Sequence, residues 1–258
     1  MEPKLTYFDI APSVTVFSTT RHGGVSKGLY GELNINPYCG DDDNAICQNR
    51  CALAHTLGVE ERHLIIPHQI HGTSIKIVDD DFLASSLEKQ CISIDGFDAV
   101  MTNCKGISIG VSTADCIPII LYDEIHHAAS AVHAGWRGTL QRIVGKVVEA
   151  MKEHYGTPSE LLKALIGPGI SLKNFEIGNE VFDAFKQAGF DMDRIAARYK
   201  KWHINLPECN HLQLLEAGVQ ADNIVDSAIC TYDNAADYFS ARRLGISSGR
   251  IYTGIVMR

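Results

Sequence analysis

Residues 117–121 and 128–133 form two apolar runs of strand length, Ile-Pro-Ile-Ile-Leu and Ala-Ala-Ser-Ala-Val-His, joined by the short polar stretch Asp123-Glu124-Ile125-His126. Apolar runs this close together read as neighbouring antiparallel strands of one hairpin. With 123–126 as its loop, Tyr122 is predicted to face His127 and Cys116 to face His133. Directly opposed residues share a face of the sheet with Cβ atoms about 4.5–5.5 Å apart, so a thiolate and an imidazole would meet on one rung. Pro118 and Gly135 beside them point to a sheet edge or end, where side chains reach a cavity.

The rest of the chain supplies a setting for that hairpin. At 258 residues, with 45% hydrophobic and 21% charged residues, it is long enough for a large core and is read as one domain spanning 1–258. Residues 14–20 read as a strand and 21–28 as a Gly-rich loop, after which Asp41-Asp42-Asp43-Asn44 caps a helix that Gly58 stops. Strands are predicted at 64–66, 71–78, 99–102 and 106–111. Thr139 is predicted to cap an amphipathic helix with Leu140, Ile143, Val147 and Met151 on its apolar face, ended by Gly156. Helices at 178–187 and 207–217 and strands at 164–166, 224–228 and 251–256 complete the reading. Strands mixed with helices, in hairpins rather than strict βαβ alternation, predict an α/β sandwich with mixed sheets.

Several function classes fall away. Thirty-one acidic against 23 basic residues give a formal charge of −8 and a pI near 5.7, which repels a phosphate backbone, so nucleic acid is not expected as a partner. The first eight residues lack a basic segment followed by an apolar one, and no apolar run approaches the ~20 residues of a membrane helix. No membrane association and a cytoplasmic location are therefore expected. Eight cysteines without a secretory signal are read as reduced and mostly buried.

Pro67-His68-Gln69-Ile70-His71-Gly72 adds two histidines three apart; on an extended segment they face opposite ways, so only one can join Cys116 and His133. Three N/S ligands leave a fourth tetrahedral position for water or substrate, the arrangement of a catalytic zinc.

Three motifs in this order, Gln69-Ile70-His71-Gly72, Thr113-Ala114-Asp115-Cys116-Ile117-Pro118 and His133-Ala134-Gly135-Trp136-Arg137-Gly138-Thr139, resemble the YfiH/laccase-domain family, once called multicopper polyphenol oxidases. Thr20-Arg21-His22-Gly23-Gly24-Val25-Ser26, Asp95-Gly96-Phe97-Asp98-Ala99, Ile166-Gly167-Pro168-Gly169-Ile170 and Phe239-Ser240-Ala241-Arg242-Arg243 extend the resemblance over nearly the whole chain. The chain departs from the family pattern at Asn174-Phe175-Glu176 and at Ala241. The resemblance implies a layered α-β-β-α sandwich shared with cytotoxic necrotizing factor deamidases, and His71, Cys116 and His133 as metal ligands and catalytic residues. It also implies zinc-dependent phosphorolysis of adenosine, inosine and methylthioadenosine, with adenosine deamination. Copper-dependent oxidation of phenols is the alternative, with copper in place of zinc. A third family assignment is editing of peptidoglycan precursors, which brings in a cell-wall ligase as partner.

Phosphorolysis needs phosphate beside the nucleoside. The segment 135–139 leads into a predicted helix N-terminus that suits an anion, with Arg137 next to it; Arg21, Arg242 and Arg243 are the other phosphate candidates. Phenol oxidation normally needs several coppers, whereas one three-ligand site can be placed. Metal-free catalysis by Cys116 activated by His133 is a further reading, which a third ligand at His71 opposes. Cys47, Cys51 and His55 recur on one helical face but are read as core-facing, His126 and His127 as solvated, and Asp41-Asp42-Asp43 as a helix cap rather than a calcium loop.

Overall fold

In the computed structural model, which describes residues 2–258, the two apolar runs become the neighbouring central strands of one of two stacked sheets. In chain order the elements are β1 (Leu5–Phe8), β2 (Val14–Thr19), α1 (Asp43–Leu57), β3 (Leu64–Ile65), β4 (Ile75–Ile77), α2 (Asp80–Ala84), α3 (Leu87–Ser93), β5 (Ala99–Thr102), β6 (Ser108–Thr113), β7 (Ile117–Asp123) and β8 (Ala128–Ala134). There follow α4 (Trp136–Leu140), α5 (Ile143–Tyr155), β9 (Lys163–Ile166), β10 (Glu176–Ile177), α6 (Asn179–Gln187), α7 (Met192–Ile195), β11 (Ala196–Arg198), β12 (Trp202–Ile204), α8 (Leu206–Glu216), β13 (Ile224–Asp226), α9 (Ala241–Leu244) and β14 (Ile251–Met257).

One sheet runs β1-β2-β14-β6-β3 and the other β13-β9-β7-β8-β5-β4, with a small third sheet β10-β12-β11. Both large sheets are mixed: β3, β4 and β13 pair in parallel with β6, β5 and β9, among otherwise antiparallel neighbours. Alternation along β7 and β8 sorts the core. Ile120, Tyr122, Ala129 and Ala131 pack between the sheets against Val16, Ile109, Val111 and Ile255. Ile117, Ile119, Leu121 and Val132 pack outward with Val144, Val147 and Met151 of α5 and Leu214 of α8. On the far side Phe17, Tyr252 and Val256 meet Leu53 and Leu57 of α1. The layers are thus α-β-β-α, as expected. Each buried aliphatic side chain is worth about 1.5–3 kcal/mol. A strand buried on both faces cannot slip by one residue without exchanging these two layers.

Helix α1 follows its sequence signals: Asp42 accepts from the Ala45 amide at 2.9 Å, and Gly58 closes the helix at φ 70°. Its buried side carries Ile46, Asn49, Leu53, Ala54 and Leu57, which leaves Cys47, Cys51 and His55 on the exposed side. The core-facing reading of those cysteines is therefore wrong, because 47, 51 and 55 each lie one residue, about 100°, past the buried stripe.

Three further expectations are corrected. The hairpin pairs Asp123 with Ala128 and Pro118 with His133, so its loop is residues 124–127 and Cys116 does not oppose His133. Asp123 is a strand residue because its buried carboxylate accepts from the Ile125 amide (2.9 Å), the His126 amide (3.2 Å) and His126 Nδ1 (2.6 Å), while His127 turns at φ 51°. The helix expected from Thr139 is two helices, since Arg142 at φ 59° separates α4 from α5. Thr139 lies inside α4, buried, with its carbonyl accepting from Gln213 Nε2 at 2.8 Å. Residues 71–74 are not strand, because His71 sits at φ 62° and pairing begins only at Ile75. Among the described residues no helix is long and apolar enough to cross a membrane.

Burial alone would raise the Asp123 pKa, but the hydrogen bonds from His126, Thr157 and the loop amides hold the carboxyl below its ordinary value. Asp123→Ala is expected to cost about 1–3 kcal/mol of unfolding free energy in denaturant titrations. Since the folded pKa is depressed, the wild-type advantage is complete above the unfolded aspartate value of about 3.9 and narrows as pH falls below it.

Candidate metal centre

The two sheets exchange chain where β6, at Thr113, crosses to β7, at Ile117, and Cys116 sits in that crossing. The corner is held by Asp115 at φ 84°, whose carboxylate accepts from Thr231 Oγ1 (2.7 Å) and the Arg242 amide (2.7 Å) and whose carbonyl accepts from the Ile170 amide (2.8 Å). His133 stands one residue from the end of β8, and His71 on the loop before β4. Gln69 clamps that loop to the end of β6 by a double hydrogen bond with the Ser112 amide and carbonyl, both 2.8 Å.

A carboxylate that belongs to neither loop completes the frame. Asp98, fully buried, accepts from His133 Nδ1 at 2.7 Å, the His71 amide at 2.9 Å, the Gly72 amide at 2.6 Å and the Ile70 amide at 3.3 Å. Burial would raise its pKa, yet His133 and the donated amides bring it below the ordinary aspartate value. With Nδ1 so engaged, the His133 ring presents Nε2 to Cys116. Burial likewise disfavours the Cys116 thiolate, but His133 and His71 overcome it and lower the thiol pKa. His133 moves the other way: the Cys116 charge and the Asp98 bond raise it against its burial. These shifts favour a thiolate beside an imidazolium; the thiolate is the ligating form, and a bound metal would take the place of the His133 Nε2 proton.

His71, Cys116 and His133 bring one ligating atom each to within 4.8 Å of one another, with Cys116 Sγ 3.9 Å from His71 Nε2. Zinc–ligand bonds of 2.0–2.3 Å place tetrahedral donors about 3.3–3.8 Å apart, so side-chain adjustments that close the spacing by up to about 1 Å bring this donor set onto a single ion of borderline softness. Gly135 leaves room for this: a Cβ there would lie 3.0 Å from Cys116 Sγ and 3.1 Å from His71 Cδ2. His71 is exposed, Cys116 half-buried and His133 buried, so the trio opens on one side into a cleft of about 650 Å³. Tyr38, His68, Trp136, Phe175, Arg242 and Arg250 are among the residues that line it.

The arginines named from sequence separate here. Arg242 lines the cleft, its guanidinium over the Phe175 ring and donating to the Glu176 carbonyl at 3.0 Å. Arg21 donates to the Gly31 and Ala235 carbonyls, Arg243 donates to the Tyr232 carbonyl, and the exposed Arg137 lies over the Trp136 ring; none of these three lines the cleft. Helix α4 does begin after Gly135, with Trp136 toward the cleft and Arg137 outward. Sequence reasoning missed Arg250, which nothing in its neighbourhood distinguishes, and gave Asp98 no role. A charged residue directly before the wholly buried strand β5 was the available signal.

Comparison with known proteins decides the family. Residues 15–258 match the family described as multi-copper polyphenol oxidoreductase laccase. The chain belongs to that family. Family members similar to it include a protein of Bacteroides thetaiotaomicron named purine nucleoside phosphorylase, 42% identical with 95% of this chain and 92% of the relative covered. Another, from an unknown prokaryotic organism, is named adenosine deaminase RL5 and is 41% identical with 98% and 97% covered. Both are enzymes, and this laccase-family chain is one of an enzyme family. Its fold is similar to that of YlmD from Geobacillus stearothermophilus, at TM-score 0.89, 29% identity and coverage of 96% and 93%. It is also similar to the YfiH protein of Bacillus licheniformis, at TM-score 0.90, 25% identity and coverage of 98% and 99%.

Asp98→Asn is expected to weaken metal binding about 10–100-fold, because it loosens both histidines without removing a ligand. Competition against a chromogenic chelator measures this. Gly135→Ala, which intrudes between Cys116 and His71, is expected to weaken binding in the same assay while the far-ultraviolet circular dichroism stays unchanged.

Proposed function

We propose that this laccase-family chain is a zinc-dependent purine nucleoside phosphorylase acting on adenosine, inosine and methylthioadenosine, with adenosine deaminase activity in the same cleft. The observation that carries the reading is the convergence of His71, Cys116 and His133 at one end of a cleft that also holds aromatic walls and a cation. The names of the two relatives above 40% identity support both activities.

In this reading His71, Cys116 and His133 hold the zinc. Bound there, zinc supplies a Lewis acid able to lower the pKa of water to about 7 and to stabilise developing negative charge. The chain's own side chains do the rest. Asp98 fixes the His133 ring and the His71 backbone, so the ligands do not reorganise during reaction. Tyr38, Trp136 and Phe175 offer flat apolar surface to a purine. Arg242, anchored at the Asp115 corner beside Cys116, supplies positive charge for phosphate. Arg21, Arg137 and Arg243 remain phosphate candidates only through movement toward the cleft.

Copper-dependent phenol oxidation is the second reading. It is favoured by the family description and by a two-histidine, one-cysteine donor set that also suits copper. Among the described residues this is the one such cluster, which supports a mononuclear centre over a multicopper one.

Incubation with inosine or adenosine, followed by chromatography, tests the proposal. Free base and ribose 1-phosphate are expected with phosphate present, and neither from Cys116→Ala or after removal of metal by a chelator. No base release under any metal loading, with phenol oxidation restored by copper, reverses the ranking.

A further inference from the structure

The cleft contains a second imidazole oriented by a carboxylate. His68 Nδ1 is 2.5 Å from Asp95 Oδ1, and its ring stacks on Tyr38 with centroids 4.2 Å apart and planes at 24°. The backbone repeats the pairing: His68 N donates to the Ile94 carbonyl at 3.1 Å, Gly96 N donates to the His68 carbonyl at 3.0 Å, and His68 and Asp95 form a parallel bridge. An exposed histidine–aspartate pair is by itself worth little to stability. This one lines the same cleft as His71, Cys116 and His133, and among the described residues Nε2 has no partner. Asp95 and Tyr38 thus fix a ring whose free nitrogen has no structural task.

We propose that His68 is the general acid that protonates the departing purine, an inference that rests on the phosphorylase reading. A phosphate oxygen forms its bond to C1′ as the C1′–N9 bond breaks, and the electron pair of that bond passes into the purine. The protonated His68 ring delivers its Nε2 proton to ring N7. The hydrogen phosphate consumed returns a proton to His68, so neutral nucleoside and hydrogen phosphate give neutral base and the ribose 1-phosphate dianion. Asp95 is the positioning residue: paired with Nδ1, it orients the ring. The metal centre and the acid would then be separate groups at one cleft, and His68→Gln need not disturb the ligands.

The test compares the wild-type chain, His68→Gln and Asp95→Asn on inosine and on 7-methylinosine, whose positively charged base departs without a proton. Zinc content is measured in parallel. With zinc content unchanged, His68→Gln is expected to lower kcat on inosine about 10²–10³-fold and to stay within about threefold of wild type on 7-methylinosine; Asp95→Asn is expected to show a smaller loss with the same substrate dependence. An undiminished kcat on inosine, an equal loss on both substrates, or loss of zinc from His68→Gln overturns the inference. Absence of base release from the wild-type chain overturns it together with the phosphorylase reading, whereas active wild type with any of the preceding results overturns the inference alone.

Discussion

The carboxylate of Asp98 receives a hydrogen bond from His133 Nδ1 and three more from the backbone of residues 70–72. A charge buried this completely is costly unless every lone pair finds a donor. Here the donors come from the end of β8 and from the loop before β4. Satisfying Asp98 therefore sets the distance between two of the three ligands. The His133 amide also donates to the Asp98 carbonyl at 2.7 Å, which ties the ligand strand to the same residue through its backbone.

Among the described residues, two of the five non-glycine residues with a left-handed backbone stand at this frame. His71 at φ 62° and Asp115 at φ 84° each carry a left-handed backbone, at a cost on the order of 1–3 kcal/mol. Each is offset by specific bonds, His71 through Asp98 and Asp115 through Thr231 and Arg242. The stacked sheets make this tolerable, because the centres of β7 and β8 are buried on both faces and cannot shift to relieve the strain. The rigid part of the molecule thus stabilises the irregular corners where chemistry is expected.

Periodicity and caps made much of the architecture readable in advance. Helix α1, with Asp42 at one end and Gly58 at the other, and the apolar runs of β7 and β8 appear close to where their residues place them. What local pattern could not convey was long-range. Asp123 and Thr139 read as a loop residue and a cap because both types favour those roles; hydrogen bonds with His126 for one and with the buried Gln213 for the other drew them into a strand and a helix. The three ligand residues were identifiable by type and motif, but their convergence depends on the β6 to β7 crossing and on Asp98, which lies 35 positions from His133. Arg242 differs from Arg21 and Arg243 only in which carbonyls each meets, information that resides in the fold.

The proposed chemistry depends on a single ion held by two imidazoles and one thiolate. X-ray absorption at the zinc and copper edges, on protein purified without added metal, tests this, with total metal content measured on the same sample. About one zinc per chain is expected, with one sulfur and two nitrogen ligands from the protein, and loss of the sulfur shell in Cys116→Ser. Several coppers per chain, or a metal-free protein whose Cys116 is freely alkylated, would contradict it.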